Sequence, residues 1–255
     1  MSAKLFLPTT IQVDTVQYKT ENGKHVSFHL ARLDLIHPVI SGNKLFKLYY
    51  NLNNAIQHNK GIITMGGAYS NHLPATAHAC SISGIPSVGL VRGELPDKLN
   101  HTLQYCIEQG MKLIPVARYD YDTHSPVLSS YLNAHPQFLF VPQGGENEDG
   151  ISGCEEISKR IPGYIDYTHI ICAAGTGTTI RGITRASAQH QQCIAVPVLN
   201  IKAEEQKMFT SKHLDVNTSC FFDFAGKGYA KKDAELFFFM NDFFHQTGIP
   251  LDFVY

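Results

Sequence analysis

Two lysines three residues apart open an apolar-periodic segment, Gly42-Asn43-Lys44-Leu45-Phe46-Lys47. One short strand later comes a glycine-opened turn, Gly66-Gly67-Ala68-Tyr69-Ser70-Asn71-His72. A lysine amine can condense with an aldehyde to a Schiff base, while a nearby amide and hydroxyl hold an oxygen of the same ring. The two segments together therefore suit a carbonyl cofactor. Residues three apart share a helix face, so one lysine can attach covalently while the other neutralises an anion. Gly42 before them allows the backbone to approach a planar ring closely. Lys44, nearer the helix start, is the better candidate for attachment. Alone, each lysine reads as a surface residue and Ser70-Asn71 as a helix N-cap; it is their combination that carries chemical meaning. His72 adjoins the turn closely enough to touch a ligand.

A third segment, Ala173-Ala174-Gly175-Thr176-Gly177-Thr178-Thr179, lies where a strand hands over to a helix. Backbone N–H groups and threonine hydroxyls there converge on an anion at the positive helix end. A dinucleotide fold would want a third glycine and an acid near the end of the next strand, which instead closes Val198-Leu199-Asn200-Ile201. No Gly-Lys-Ser/Thr follows either, so a nucleoside triphosphate loop is out. A phosphate monoester is the preferred ligand, against a plain structural turn. No histidines and carboxylates have metal-site spacing, and no catalytic metal is expected. The acidic stretch 146–149 lacks the alternating oxygen ligands of a calcium loop and reads as a solvated turn.

The elements that must position these groups alternate. Residues 11–18 and 25–34 alternate apolar and polar side chains about a turn at 21–24, predicting a β-hairpin. Helices are predicted over 44–57, 73–83, 100–109, 126–134, 153–159 and 232–246, with another opened by 175–179 and running to 189. Strands are predicted over 61–66, 86–91, 111–116, 138–142, 167–174 and 193–199, with 143–150 as a loop. Such alternation means parallel sheets with crossover helices.

The 255 residues, 44% of them hydrophobic, can bury one large α/β core or two lobes. Twenty-one basic and 22 acidic side chains leave a net charge of -1, no basis for binding nucleic acid or an anionic membrane. The first eight residues are too soon broken by Pro8 to read as a signal peptide, and no apolar run reaches membrane-spanning length, so a cytoplasmic protein is expected. Six scattered cysteines without a C-x-x-C pair read as free thiols.

Taken together, residues 41–48, 66–72 and 175–179, with Phe224-Ala225-Gly226-Lys227-Gly228-Tyr229-Ala230-Lys231, resemble the 1-aminocyclopropane-1-carboxylate deaminase and D-cysteine desulfhydrase family of pyridoxal-phosphate enzymes. Order and relative spacing agree from about residue 30 onward. The resemblance implies an α/β fold of the tryptophan synthase β type (fold type II), with three-layer αβα lobes. Residues 1–43 and 151–255 would form the larger lobe and 44–150 the smaller. It implies pyridoxal 5'-phosphate as cofactor, carried by Lys44, with Lys47 and Gly175, Thr176, Gly177, Thr178 and Thr179 cradling its phosphate. Asn71 is similar to the asparagine that binds the ring hydroxyl, and Ser70 to a serine at the substrate carboxylate or in proton transfer. Tyr255 matches a tyrosine near the reacting carbon, and Tyr229 sits in a segment similar to one that also supplies an active-site tyrosine. Lys227 stands where related sequences have glycine. The family continues past the position of Tyr255 with residues that meet the pyridine nitrogen, so that partner is expected outside this sequence.

The implied activity is release of ammonia and a 2-oxo acid from a small amino acid. D-cysteine giving pyruvate, sulfide and ammonia is the first choice, and 1-aminocyclopropane-1-carboxylate giving 2-oxobutanoate and ammonia the alternative. A non-catalytic binder of the cofactor or of a phosphate metabolite is a reading of a different class. A homodimer is implied by the family alone.

Overall fold

Hydrophobic periodicity accounts for most of the elements in the computed structural model, which describes residues 5–198, 204, 206, 209–210, 217–225 and 231–252. The chain divides into two units, the first of residues 1–8 and 34–156 and the second of 9–33 and 157–255.

In the first unit, strands β3 (Gly61–Gly66), β4 (Ser87–Arg92), β5 (Lys112–Val116) and β6 (Phe138–Val141) form one parallel sheet in the order β5-β4-β3-β6. All six residues of β3 are buried, as a central strand covered on both faces requires, and this is why its sequence is nearly continuously apolar. Helices α2 (His72–Ser83), α3 (His101–Glu108) and α4 (Pro126–Ala134) supply the three crossovers, and α1 (Asn43–Gln57) leads into β3. Leu73, Ala77, Val91, Leu103, Cys106 and Met111 pack α2 and α3 on one face of the sheet. Ile63, Met65, Val88, Leu90 and Leu128 pack α4 on the other. The result is a three-layer αβα arrangement.

One prediction here needs correction. The stretch 143–150 is not a loop: a 3-10 turn occupies Gln143–Gly145, and α5 runs Glu148–Ser158, starting five residues before the predicted helix. Asn147 Oδ1 accepts from Gly150 N at 2.9 Å, which satisfies a first-turn donor. Glu148 and Asp149, read as a solvated turn, sit in that first turn, where carboxylates favour the positive helix end.

In the second unit, β1 (Val13–Lys19) and β2 (His25–Ala31) make the predicted antiparallel hairpin, in register from Val13 opposite Ala31 to Lys19 opposite His25. Strands β7 (His169–Ala174), β8 (Gln192–Pro197) and β9 (Thr218–Cys220) are parallel. Helix α6 (Thr178–Ala186) covers them through Ala174, Ile180, Ile183, Cys193 and Ala195. It stops three residues short of its predicted end. Gln191, only 1% exposed, donates to the carbonyls of Tyr164 and Tyr167 and accepts from Ala188 N, giving the chain a partner that competes with another helical turn. Helix α7 (Ala234–Thr247) begins at Asp233, whose carboxylate accepts from Leu236 N at 2.8 Å, and ends at left-handed Gly248. It docks on β1 through Val16, Tyr18, Phe243 and Ile249, with Tyr18 donating to Asp242 at 2.8 Å. Among the described residues no helix is long and apolar enough to cross a membrane.

Candidate active site

The lysine-bearing turn of α1 begins at Gly42, with φ 63° and ψ -144°, a conformation essentially reserved for glycine. A side chain placed there would meet nothing within 4 Å, so open space precedes the lysines. Lys44 is half-buried, and its Nζ donates to Asn43 Oδ1 at 2.7 Å. Lys47 is only 5% exposed. Behind this turn, Asn51 Nδ2 donates to Lys47 O at 2.8 Å. Asn51 and Asn147 also exchange amide hydrogen bonds, Nδ2 to Oδ1 in each direction, at 3.1 and 2.7 Å. Gly145, at φ +68°, lies against the Lys47 stem, and a Cβ on Gly153 of α5 would fall 1.9 Å from Phe46 O. The turn carrying both lysines is therefore clamped by backbone contact and by a buried amide pair.

The β3–α2 turn lies in the same unit. Gly66 has no room for a Cβ, which would stand 2.7 Å from Leu73 Cγ. Ser70 N donates to Gly67 O at 2.9 Å, and Ser70 Oγ, largely buried, accepts from His72 N at 3.2 Å. Asn71 occupies the N-cap position but with helical φ/ψ and no side-chain cap bond. A capping side chain needs extended backbone to reach back to the helix, so the default reading of Asn71 as a cap fails. Its exposed amide is not spent on closing the helix.

His72 is 1% exposed, with Nε2 2.9 Å from Thr64 Oγ1, while Thr64 Oγ1 donates to Val141 O at 2.8 Å. Burial lowers the His72 pKa from 6.5 to about 3, and the charges of Lys44 and then Lys47 push the same way. The ring is neutral at physiological pH.

In the second unit, Gly175 to Gly177 join β7 to α6. Gly177 is the N-cap, at φ 82° and without a side-chain cap bond. Thr178 and Thr179 are buried, and the Oγ1 atoms of Thr176 and Thr178 lie 3.1 Å apart. A left-handed glycine opening a helix leaves first-turn N–H groups for an outside acceptor.

Of the predicted site residues, Lys44, Lys47, Ser70, Asn71 and His72 thus lie in the first unit and Gly175 to Thr179 in the second. Tyr229 and Tyr255, with Lys227, are outside the described residues. Sequence reasoning missed Thr64, Asn51, Asn147 and the glycines behind the lysine turn. Thr64 left a signal: a hydroxyl inside the run Gly61-Ile62-Ile63-Thr64-Met65-Gly66 must find partners once buried.

Parallel αβα layers with a clamped lysine turn behind an open glycine describe a fold type II pyridoxal-phosphate enzyme. The family described as pyridoxal-phosphate dependent enzyme matches residues 16–242, and the chain belongs to it. A Thermotoga maritima protein provisionally named 1-aminocyclopropane-1-carboxylate deaminase is 28% identical over 254 residues, covering 90% of this chain and 80% of that protein. The bifunctional D-cysteine desulfhydrase/1-aminocyclopropane-1-carboxylate deaminase of Arabidopsis thaliana is 27% identical over 256 residues. The match covers 89% of this chain but 64% of that protein's length. A crystal structure of an ACC deaminase homologue superposes with a TM-score of 0.78 at 21% identity, covering 97% of this chain and 81% of that one. The hydrogen sulfide-producing enzyme of Fusobacterium nucleatum superposes at 0.57 with 15% identity over 74% of this chain and 59% of its own. Both likenesses establish the fold.

Proposed function

We propose that the chain binds pyridoxal 5'-phosphate through Lys44 and releases ammonia and a 2-oxo acid from a small amino acid, D-cysteine first. The observation that carries this reading is the clamped turn of α1, which sets half-buried Lys44 two residues after Gly42, where a side chain would meet nothing within 4 Å, and buried Lys47 one helical turn on. The residues fit the cofactor: the Lys44 turn is approachable at Gly42, and the buried Nδ1 of His72 has no hydrogen-bond partner among the described residues.

Lys44 would carry the cofactor, and Asn71 would donate to its ring hydroxyl. Lys47, the Thr176 and Thr178 hydroxyls and the first-turn N–H groups of α6 would hold its phosphate. When bound, pyridoxal phosphate supplies an aldehyde for the lysine and a conjugated ring that withdraws electrons from the substrate's α-carbon. The Ser70 hydroxyl, fixed in a tight turn, would bind the substrate carboxylate or pass a proton. Lys44 Nζ would take the α-proton, its position steadied by Asn43 Oδ1. Elimination from D-cysteine asks for one such base, which is what favours it over opening a cyclopropane. Lobes of residues 1–43 with 151–255 and of 44–150, a homodimer, a cytoplasmic location and tyrosine roles for Tyr229 and Tyr255 belong to the same proposal.

The test is the absorbance of the purified protein with pyridoxal phosphate before and after borohydride, followed by mapping of the reduced lysine. Lys44→Ala is expected to lose the cofactor band and the reduced peptide; a band that persists would move the attachment to Lys47 or elsewhere. Sulfide and pyruvate from D-cysteine, against 2-oxobutanoate from the cyclopropane, choose the substrate. A yellow protein that yields neither is a binder.

A further inference from the structure

The order β5-β4-β3-β6 means that strands are first added on one side of β3 and the chain then returns to its other side, so the connection reverses between β3 and β6. Outside the carboxyl ends of the strands at such a reversal, an open parallel sheet leaves a crevice, the usual seat of its ligand. Two turns flank that crevice. One is the β3–α2 turn with Ser70 and Asn71, and the other is the 3-10 turn Gln143–Gly145 that follows β6. Thr64 is paired with Val141, so Gly66 and Gln143, each two residues on, leave the sheet level with one another. The second turn lies against α1, α2 and β3, and a Cβ on Gly145 would stand 3.1 Å from Lys47 Cβ.

Alternation along β6 decides which face Gln143 occupies. Phe138 and Phe140 pack with Ile63 and Met65 on the α4 face. Thr64, between Ile63 and Met65, points the other way, to His72 of α2. Pro142 is still extended, at φ -60° and ψ 168°, so the period of two carries Val141 and then Gln143 onto the face of α2 and of α1, the lysine helix. Gly144 and Gly145, both at φ 68°, then fold the chain back on α1, a course that glycine follows without strain. Gln143 is exposed, and among the described residues its amide has no hydrogen-bond partner. Gln191, by contrast, spends its amide on two carbonyls.

Resting on the cofactor reading above, we propose that Gln143 is a specificity-determining residue whose amide bonds the side chain of the bound amino acid, selecting substrates with a hydroxyl or thiol on the β-carbon. The α-carbon of an amino acid held at the Lys44 site through its nitrogen has three other bonds. The proton goes to Lys44 and the carboxylate to Ser70, which leaves the side chain for the turn on the neighbouring strand. A glutamine amide both donates and accepts, so it matches a hydroxyl or thiol of the serine or cysteine kind. A cyclopropane ring offers it nothing and would cut the amide off from water without a partner.

Titrating the cofactor band of the full chain with D-serine and with D-alanine, which differ only in the hydroxyl, tests this. The parent is expected to bind D-serine the more tightly. Gln143→Met keeps the length of the side chain and removes the amide; it should weaken D-serine roughly 3- to 10-fold while D-alanine binding and the borohydride-reduced Lys44 peptide stay as they were. Gln143→Ala should do the same. Equal weakening of both ligands would give the amide to the shared carboxylate or amino group and overturn the proposal. So would an unchanged D-serine titration in the two variants, or a parent that attaches the cofactor to Lys44 without preferring D-serine. A parent that yields no reduced Lys44 peptide is the distinct result that removes the cofactor reading and this inference together.

Discussion

Replacing Gly153 by alanine sets two effects of known size against each other. Alanine is the better helix former, worth ~1 kcal/mol over glycine in a helix interior. In α5, however, the new methyl would lie 1.9 Å from Phe46 O and 2.8 Å from Phe46 C, atoms of the backbone that cannot rotate away. Reaching an ordinary contact means that α5 and the lysine turn of α1 separate by about 1 Å or more, and overpacking of a close-packed interior costs ~1–3 kcal/mol. With the clash at the top of that range, the net is a loss of about 2 kcal/mol, or a melting temperature lower by roughly 4–8 °C for a chain of this size. The same separation moves Lys47 and its neighbour Lys44, and a misplacement of ~1 Å at a reacting group costs ~10²-fold in turnover. Chemical denaturation and the cofactor band read the two consequences separately. A Gly153→Ala protein as stable as the parent, or more stable by the helix propensity alone, would refute the backbone clamp and with it the account of how Lys44 is held.

Removing either asparagine of the Asn51–Asn147 pair strands the other's amide in a part-buried site, so each single alanine variant should lose about 1–3 kcal/mol. The double variant should lose less than the sum, with a coupling of ~1 kcal/mol or more in a denaturation cycle; strict additivity would show that the two amides do not act together. The buried ring of His72 predicts an acid limb of stability. Its folded pKa is depressed to about 3 from 6.5, so the unfolded chain binds the extra proton first as pH falls. Stability is full above pH 6.5 and is lost at ~1.4 kcal/mol per pH unit on the way down toward pH 3. His37, held low by burial and by neighbouring His78, adds in the same direction. His72→Gln cannot ionise and should flatten most of this limb; an unchanged slope in urea titrations at pH 7, 6 and 5 would contradict the buried neutral ring.

What could be read from the residues, and what could not, follows from how far each signal reaches along the chain. The run 61–66 announced a buried central strand because both faces of β3 are covered, and the 3.6 period of 44–57 announced α1 because one face is apolar; both are local. The start of α5 was missed because Asn147, not an apolar residue, sets it, and the glycine-rich segment 143–150 imitates a loop. The glycines there serve close approach: a Cβ on Gly150 would lie 2.0 Å from Gly145 O. That requirement involves backbone atoms folded against one another, which no periodicity encodes. The early end of α6 has the same origin, a single glutamine side chain reaching two carbonyls more than twenty residues away.

The candidate site divides along the same line. Lys44, Lys47, Ser70 and Asn71 stand out because chemistry restricts which residue types can do their work at that spacing. Thr64, Asn51 and Asn147 do not stand out, since a threonine in a strand and an asparagine in a helix have common structural uses. Only their partners give them meaning: Val141 and His72 for Thr64, and Lys47 O for Asn51. The groups proposed to react are therefore legible one by one, whereas the groups that hold them become legible only as pairs. Long-range pairs such as Asn51 with Asn147, 96 residues apart, are where folding and reactivity share the same bonds.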